Sequence, residues 1–486
     1  MPVWKFIMNI ETDNKIQKKG ITLVIPNPCG NIKETKMKNS GIEWIGEIPE
    51  DWEISKTKYL TKLYTGNSIK DEEKNLYEDK ADAVPYISSK DINATFSTTN
   101  YENGMYVKHS DNSFVRAPAG STLMCIEGGS AGKKKTFLNQ EVCFVNKLCC
   151  FSPIKIDSKF LFYCLNSPNY EEEFRFNISG MIGGVSVGKL NQFILPKPPK
   201  STQQRIASYL DKKCSKIEET IQNQQQVIEK LKAYKQSLIT EAVIGKKYHE
   251  NCHTDSILLT QNPNEDMKTE IPLGISNPCG NIEFKYCNLG FIADFKNGLN
   301  YNASDFGTEV KFLGVGDFQN YLVLNDESMF SNIITDTEIE DDYYLKNEDI
   351  IFVRSNGSKE LVGRAIMVDN IDFKVTYSGF CIRLRNKEPK KINSKFLLYF
   401  FRSDYFKNEL QRLSQGSNIS NINQDLLSHI KIPLVDIRFQ ESVVDFLDKK
   451  CTAIDTAIEQ KQKLIENLTE YKKSLIYECV TGKKEW

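Results

Sequence analysis

The chain has 486 residues, too many for one ordinary hydrophobic core, and this length predicts two or more domains. Hydrophobic residues make up 40% and charged residues 26%, which excludes a largely disordered chain, and the formal net charge of −1 excludes a protein that is basic throughout. Binding to nucleic acid stays open, because it depends on local basic patches rather than on total charge.

The thirteen cysteines do not have the spacing of a disulfide framework, since no CxxC pair occurs and the count is odd. Cys143, Cys164, Cys214 and Cys451 lie among apolar neighbours, where a free thiol packs as a small hydrophobic group. The sequence has no run of about 18 apolar residues and no signal-peptide pattern. We therefore expect reduced thiols, a cytoplasmic protein and no membrane contact.

The first globular part, roughly residues 41–199, has short runs of Phe, Tyr, Ile and Val that are separated by Gly, Asn, Asp and Ser. These runs predict strands and turns, with one helix around residues 158–166. A Gly-rich stretch that begins at Glu127 ends in three lysines: Lys133, Lys134 and Lys135. Such a basic loop is typical of a phosphate contact but equally of a solvated hairpin turn, and both interpretations stay open.

Residues 183–189, Gly-Gly-Val-Ser-Val-Gly-Lys, have the spacing of a phosphate-binding P-loop. Leu190, however, takes the place of the Ser or Thr that would hold magnesium, and no helix-forming sequence follows. We interpret the segment as a turn before a strand.

Between residues 200 and 247 the apolar residues recur alternately every four and three positions, the 3.5-residue period of a coiled-coil seam. Gln224 and Lys235 are polar members of this seam, and Gly245 follows it where a C-terminal cap is expected. The pattern predicts a helix of about 45 residues. The apolar seam residues are Leu210, Ile217, Ile221, Ile228, Leu231 and Leu238.

A polar linker, residues 248–283, contains two strings that resemble catalytic motifs. His249-Glu-Asn-Cys-His253 spells the zinc-protease signature HExxH, but that motif requires a continuous helix and an apolar scaffold, so we interpret it as a chance match. Glu283-Phe-Lys285 could end a nuclease motif, yet no partner Asp stands in a suitable strand before it. The Asn/Asp-Pro-Pro-aromatic loop of adenine methyltransferases is absent. We expect no catalytic residue, metal or cofactor.

The second globular part, residues 284–436, repeats the strand and turn pattern, with one helix predicted around residues 394–412. Its Gly-rich basic loop lies after a strand-like run, as the first one does. Arg and Asn side chains are suited to hydrogen bonding with base edges. The candidate residues of this loop are Arg354, Asn356, Lys359 and Arg364.

A second long helix is predicted from residue 437, and it is the clearest sign of an internal repeat. Residues 447–484 align without a gap to residues 210–247, with 21 of 38 positions identical. Upstream, Ile156–Tyr163 resembles Ile392–Tyr399, and Val84–Asp91 resembles Val310–Asp317. Gly482 takes the place of Gly245, and Lys461 and Lys472 are the polar seam residues. The apolar seam residues here are Leu447, Ile454, Ile458, Ile465, Leu468 and Leu475.

The repeat predicts an α+β protein, a tandem duplication of a mixed α/β domain followed by a long helix. Each helix could pack on its own globular domain. Pairing of the two helices as a coiled coil is favoured, because their polar seam residues share one register and their length exceeds that of a small domain.

Several segments together resemble the specificity subunits of type I restriction–modification enzymes. Residues 40–52, Ser-Gly-Ile-Glu-Trp-Ile-Gly-Glu-Ile-Pro-Glu-Asp-Trp, look like the opening of these subunits. Residues 195–199 and Gln203-Gln-Arg-Ile206 resemble their central segment, which Ile432-Pro-Leu434 and Gln440 repeat. The predicted division is an N-terminal extension (1–36), target recognition domain 1 (37–199), a central helix (200–247), a linker (248–283), target recognition domain 2 (284–436) and a C-terminal helix (437–486).

The resemblance implies a non-catalytic subunit that binds double-stranded DNA through two unlike domains, each reading half of a bipartite, asymmetric site. It implies antiparallel helices that set the spacer between the half-sites. It also implies two methyltransferase subunits, which carry S-adenosylmethionine, and restriction subunits as partners. Two similar modules on antiparallel helices would have an approximate two-fold axis, as DNA backbones do. The alternative is a coiled-coil scaffold whose globular domains bind proteins.

Overall fold

The computed structural model describes residues 36–179, 183–244, 285–300, 307–318, 321–336, 338–355, 361–413 and 421–484. Within these ranges the chain divides into two compact units. Unit 1 extends as far as Ile221 and resumes at Glu466, and unit 2 comprises Gln222–Ile465. Each unit therefore contains one globular part together with a segment of each long helix.

Unit 1 contains two four-stranded sheets, of order β11-β10-β13-β4 and β8-β5-β12-β9, and the strand pairs β1–β2, β3–β14 and β6–β7. Its strands are β1 (Met37–Asn39), β2 (Glu47–Pro49), β3 (Glu53–Lys56), β4 (Thr61–Thr65), β5 (Ala83–Ile87), β6 (Ile92–Asn93), β7 (Thr98–Thr99), β8 (Tyr106–Lys108), β9 (Arg116–Ala117), β10 (Thr122–Cys125), β11 (Lys135–Phe137), β12 (Val142–Phe144), β13 (Leu148–Pro153) and β14 (Ile194–Lys197). Its helices are α1 (Thr57–Leu60), α2 (Ser158–Leu165), α3 (Pro168–Phe176), α4 (Val187–Leu190) and the first part of α5 (Lys200–Ile244).

Unit 2 contains a five-stranded sheet of order β16-β23-β20-β21-β18, a three-stranded sheet β19-β17-β22 and the pair β15–β24. Its strands are β15 (Lys285–Asn288), β16 (Ala293–Asn297), β17 (Thr308–Leu313), β18 (Val323–Leu324), β19 (Ser331–Thr335), β20 (Ile350–Val353), β21 (Ala365–Val368), β22 (Val375–Tyr377), β23 (Cys381–Asn386) and β24 (Lys431–Leu434). Its helices are α6 (Ser394–Arg402), α7 (Asp404–Leu413), α8 (Gln424–Ser428) and most of α9 (Ile437–Val480), whose last part belongs to unit 1.

The two globular parts share one strand arrangement. The order β11-β10-β13-β4 in unit 1 has its equivalent in β21-β20-β23-β16 in unit 2, and the parallel pair β5–β12 has its equivalent in β17–β22. Asp91 accepts a hydrogen bond from the backbone N–H of Ser88 at 2.8 Å, and Asp317 accepts one from Gly314 at 2.7 Å. The weak similarity between residues 84–91 and 310–317 is therefore a true structural equivalence.

Each globular part has two consecutive helices where the sequence analysis predicts one. The single helix predicted around residues 394–412 is wrong, because α6 and α7 are separated at Ser403, which has an extended ψ of 155°. In unit 1, α2 agrees with the predicted helix, and α3 was not predicted. The ring of Pro168 begins α3 and disfavours a helical conformation at Ser167, so the chain breaks between α2 and α3.

The two long helices have the predicted lengths, 45 residues for α5 and 44 for α9. Their predicted apolar seam residues are buried or half-buried. In unit 2, Lys461 donates to Gln224 at 3.1 Å, and Lys235 forms a 2.6 Å ion pair with Asp455. In unit 1, Lys472 and Glu218 form a 2.5 Å ion pair. Under the repeat offset of 237 residues, Glu218 corresponds to Asp455 and Lys235 to Lys472, so both repeats form the same pair.

The C-terminal end of α9 packs on the N-terminal part of unit 1. Ile476 and Val480 are buried in one cluster with Trp44 and Trp52, and Lys483 donates to the carbonyl of Ile45 at 3.1 Å. Gly482 has a φ of +73°, and a Cβ there would lie 2.5 Å from Pro49, so glycine is required for both reasons. Gly482 is thus the predicted C-terminal cap, whereas Gly245 lies outside the described residues.

Buried thiols contribute to the cores of both units. Of the described cysteines all ten are free, and nine of them are buried, including Cys143, Cys164, Cys214 and Cys451 as predicted. None of the described helices combines the length and the apolar character that a membrane span requires.

Candidate nucleic-acid interface

The two basic loops occupy equivalent positions in the two units. The first connects β10 to β11 and the second connects β20 to β21, and both strand pairs are antiparallel. Strand register makes Lys134 equivalent to Arg364. In unit 1 the N–H of Cys125, the last residue of β10, donates to the carbonyl of Lys134, and in unit 2 the N–H of Val353, the last residue of β20, donates to the carbonyl of Arg364. The sequence analysis placed the loops after strand-like runs in both parts, and in the structure they occupy the same position in two equivalent but separate sheets.

In unit 1 the loop is a tight turn with a lysine exposed beside it. Gly132 has a φ of +74°, and its N–H donates to the carbonyl of Cys125 at 2.8 Å. Lys133 is exposed, whereas Lys134 is half-buried and donates to the carbonyl of Ser89 at 2.6 Å. Lys133 is therefore the lysine of this loop that is best placed to meet a phosphate from solvent.

Lys135 differs from its two neighbours because its side chain is only 1% exposed. Its ammonium group donates to the carbonyl of Gly132 at 2.8 Å and to Oε1 of Glu171, on α3, at 2.5 Å. Burial lowers the pKa of this lysine, while the Glu171 carboxylate opposes that shift. The ammonium group faces the protein interior, so in this conformation Lys135 is not part of the exposed basic surface of the loop.

In unit 2 the described ends of the loop carry arginines. Arg354 and Arg364 are both half-buried, while Asn356 and Lys359 lie outside the described residues. Arg402, at the end of α6, donates to the carbonyls of Ala365 at 2.9 Å and Tyr321 at 2.6 Å. It therefore lies beside the start of β21, the strand that directly follows Arg364.

Burial and like charge both act on two of these arginines. Burial lowers the pKa of Arg364. Burial, with a smaller contribution from the positive charge of Arg364, lowers the pKa of Arg402 to about 10. Because arginine stays charged at neutral pH, Arg364 and Arg402 place two positive charges in the same region of unit 2.

Each loop has a neighbour that the sequence analysis missed. The N–H of Arg354 donates to the carbonyl of Phe380 at 2.8 Å, and Phe380 is 56% exposed. In unit 1 the N–H of Ile126 donates to the backbone carbonyl of Lys147, whose side chain is exposed. Both neighbours lie on the turn before the following strand. No sequence signal marks them, because their proximity depends on strand register.

The motif-like strings do not assemble a catalytic site within the described residues. In the P-loop-like segment, residues 183–189, α4 is a single helical turn that Ser186 caps, and β14 follows, so the predicted turn before a strand includes one turn of helix. The HExxH string at 249–253 lies outside the described residues, as does Glu283. Among the residues that the structure describes, no group of His, Cys, Asp and Glu side chains could hold a metal ion.

Comparison with known proteins assigns the chain to a family. A family model for the type I restriction modification DNA specificity domain matches residues 49–230 and 281–467, more than half of the chain. The StySPI specificity subunit of a type I restriction enzyme from Salmonella potsdam is 25% identical over 462 residues, covering 90% of this chain and 90% of the relative. The MjaVIII specificity subunit from Methanocaldococcus jannaschii is 24% identical over 465 residues, covering 90% and 93%.

A solved structure shows the same fold. It comes from work on complex assembly and conformational transition of the type I R-M system, and its chain aligns with a TM-score of 0.64 at 14% identity. The alignment covers 90% of this chain and 99% of that one. The family match to two segments agrees with the duplication of the fold. The chain belongs to the type I restriction modification DNA specificity family, as a non-catalytic specificity subunit with two specificity domains.

Proposed function

We propose that this chain recognises a bipartite, asymmetric DNA site, with one half-site read by each unit. One observation carries the proposal: the two basic loops occupy the same sheet position but bear different side chains. Lys134 in unit 1 corresponds to Arg364 in unit 2, and the neighbouring turn has Lys147 in unit 1 and Phe380 in unit 2. Similar scaffolds with unlike contact residues are suited to two different half-sites.

The chemistry of the side chains supports a division of roles. Lysine ammonium groups contact phosphates and position a domain without sequence information, which suits the exposed Lys133. Arginine guanidinium groups form bidentate hydrogen bonds with guanine, which suits Arg354 and Arg364. Asn356 and Lys359 remain candidates in the same loop, with an amide suited to adenine and an ammonium suited to phosphate.

The long helices support a second part of the proposal, in which they pair as an antiparallel coiled coil that sets the spacer. In unit 2, Gln224 is hydrogen-bonded to Lys461, and Lys235 is hydrogen-bonded to Asp455. The residue further along α5 thus contacts the residue earlier in α9, as antiparallel helices require. The equivalent Lys472–Glu218 pair in unit 1 supports the same direction. Polar seam residues of this kind specify register.

Family membership supports the partners. We propose that the chain binds double-stranded DNA together with two methyltransferase subunits, which carry S-adenosylmethionine, and with restriction subunits. The relatives StySPI and MjaVIII are named as specificity subunits of type I restriction enzymes, which is the setting that these partners require. Two methyltransferase subunits fit a chain whose two helical segments share 21 of 38 residues at an offset of 237 positions.

Methylation mapping tests the proposal. The full chain is co-expressed with a type I methyltransferase subunit from its source genome, in a host that lacks other adenine methylation, and methylated adenines are mapped across the genome. We expect one motif of two unlike halves with a fixed spacer. Scattered methylation, a single continuous motif, or failure of the two proteins to copurify would contradict the proposal and favour a protein-binding scaffold.

A further inference from the structure

Lys135 has a different environment from that of a lysine that binds DNA. Its side chain is 1% exposed, and its ammonium group contacts the carbonyl of Gly132 and the carboxylate of Glu171. A buried ammonium group is costly unless it is paired and hydrogen-bonded, so these two contacts stabilise one conformation of the side chain. The same contacts link the turn at Gly132 to α3.

A second contact fixes the same turn to the same helix. A Cβ on Gly132 would lie 2.5 Å from Cδ1 of Phe174, so the backbone of the turn packs directly on that ring. Phe174 is 1% exposed and lies one helical turn after Glu171 on α3. The turn is therefore held by packing at Phe174 and by an ion pair at Glu171.

Unit 2 retains the packing but not the ion pair. A Cβ on Gly363 would lie 2.8 Å from Cδ1 of Leu410 on α7, which repeats the contact between Gly132 and Phe174. Strand register places Ala365 where unit 1 has Lys135. Alanine has no polar group to contact a carbonyl or a carboxylate, so the described part of unit 2 has no equivalent of this anchoring ion pair.

We propose that Lys135 is a positioning residue for the DNA contacts of unit 1. By tying the Gly132 carbonyl to Glu171, it fixes the turn that carries Lys134. Lys134 is the equivalent of the base-contact candidate Arg364, so it is the lysine of this loop that would read a base, and Lys135 makes no contact with DNA itself. The inference rests on the proposed function, since it assigns a residue to the half-site that unit 1 reads.

The test compares Lys135→Met with Lys133→Met in the full chain, assembled with its methyltransferase subunit. Methionine approximates the apolar stem of lysine and removes the ammonium group. Binding is measured by fluorescence anisotropy over a range of salt concentrations, with the mapped site, with duplexes altered in either half-site, and with random duplex.

We expect Lys135→Met to lose about tenfold in discrimination at one half-site, the scale of one base contact. Discrimination at the other half-site, and the slope of log affinity against log salt, stay as in the wild type. Lys133→Met lowers that slope by about one and leaves discrimination intact. Lys135→Arg, which keeps donors for Gly132 and Glu171, restores part of the lost discrimination.

Three results would overturn the proposal. If Lys135→Met and Lys133→Met lower the salt slope equally, Lys135 contacts phosphate directly. If Lys135→Met loses discrimination at both half-sites in proportion to its loss of thermal stability, the ion pair is only structural. If Lys135→Met does not fold, Glu171→Leu removes the same pair from its more exposed side, and unchanged discrimination in that variant rejects the proposal. Failure of the wild type to bind any duplex would instead reject the proposed function.

Discussion

Gln203 of α5 accepts a hydrogen bond from the backbone N–H of Asp157, the residue that caps α2, through its side-chain Oε1 at 2.7 Å. Its Nε2 donates to the carbonyl of Pro198 at 2.8 Å. In unit 2, Gln440 accepts from the N–H of Asn393 at 2.9 Å and donates to Val435 at 2.8 Å. In both repeats, one buried amide thus joins the start of a long helix to the cap of a globular-domain helix.

Replacing Gln203 by Leu should destabilise unit 1 by about 2 kcal/mol, because the N–H of Asp157 and the carbonyl of Pro198 lose their partner in a buried site. Trp44 and Trp52 are buried in unit 1 and Gln222–Ile465 contains no tryptophan, so fluorescence during urea unfolding reports on unit 1. Gln204→Leu is the matched control, since Gln204 is exposed on the same helix turn. Equal midpoints for both variants would show that the amide does not stabilise this junction.

Alkaline pH should destabilise unit 1 through its buried thiols. Burial raises the pKa of Cys214 to about 12 and that of Cys479 to about 12, against 9.0 for an ordinary thiol. Between pH 9 and 12 the unfolded chain therefore holds fewer protons than the folded chain, so stability is complete below pH 9 and falls as pH rises. Each thiol should cost about 1 kcal/mol between pH 8 and pH 10.

The measurement is the urea midpoint of unit 1 at pH 8, 9 and 10, followed by tryptophan fluorescence. Cys214→Ala and Cys479→Ala should each reduce the change with pH, even though both lower stability at pH 8 by leaving a cavity. A change with pH that is as steep in the double variant as in the wild type would contradict this origin.

Arg354→Ala should relax recognition at one half-site and leave the other unchanged. Loss of one bidentate base contact costs about 1–3 kcal/mol against the preferred sequence. Methylation mapping would then show a degenerate position in one half of the motif. Lys407→Ala serves as the control, because Lys407 is an exposed cation of unit 2 on α7. If both half-sites relax together, the loop assignment in unit 2 is incorrect.

Removing one heptad from each long helix should change the spacer and preserve both half-sites. Deleting residues 222–228 from α5 and the equivalent residues 459–465 from α9 keeps the seam pattern and shortens each helix by about 10 Å. At about 3.4 Å per base pair, the spacer should change by about three base pairs. Methylation at the original spacer by the shortened protein would show that the helices do not set it.

The long helices could be predicted because a 3.5-residue period that continues over many turns is typical of long paired helices. Which stretch of each helix packs in which unit could not be predicted, since the period identifies a buried face but not its partner. The structure assigns Leu475 to the core of unit 1 and Leu238 to the core of unit 2, although each follows the other globular part in sequence.

The candidate site was less predictable. A run of three lysines contains no signal that the third one begins a buried strand, so Lys135 resembled its exposed neighbours. Helix α3 escaped prediction because Tyr170 and Phe174 are its only buried residues, and its remaining positions are largely polar. The presence of Phe380 beside Arg354 follows from pairing between distant strands, which local patterns do not encode.

The packing of Trp52 and Gly482 in one unit has a consequence for biosynthesis. A ribosome that has added Ile465 has already made every residue of unit 2, but unit 1 still lacks the segment that begins at Glu466. Of the two globular parts, the one made first is therefore completed last, and its apolar surface around Trp44 and Ile48 stays uncovered until the segment from Glu466 onward has been made. A stop codon shortly after Ile465 would therefore damage the globular part of unit 1, although it leaves every residue of unit 2 in place.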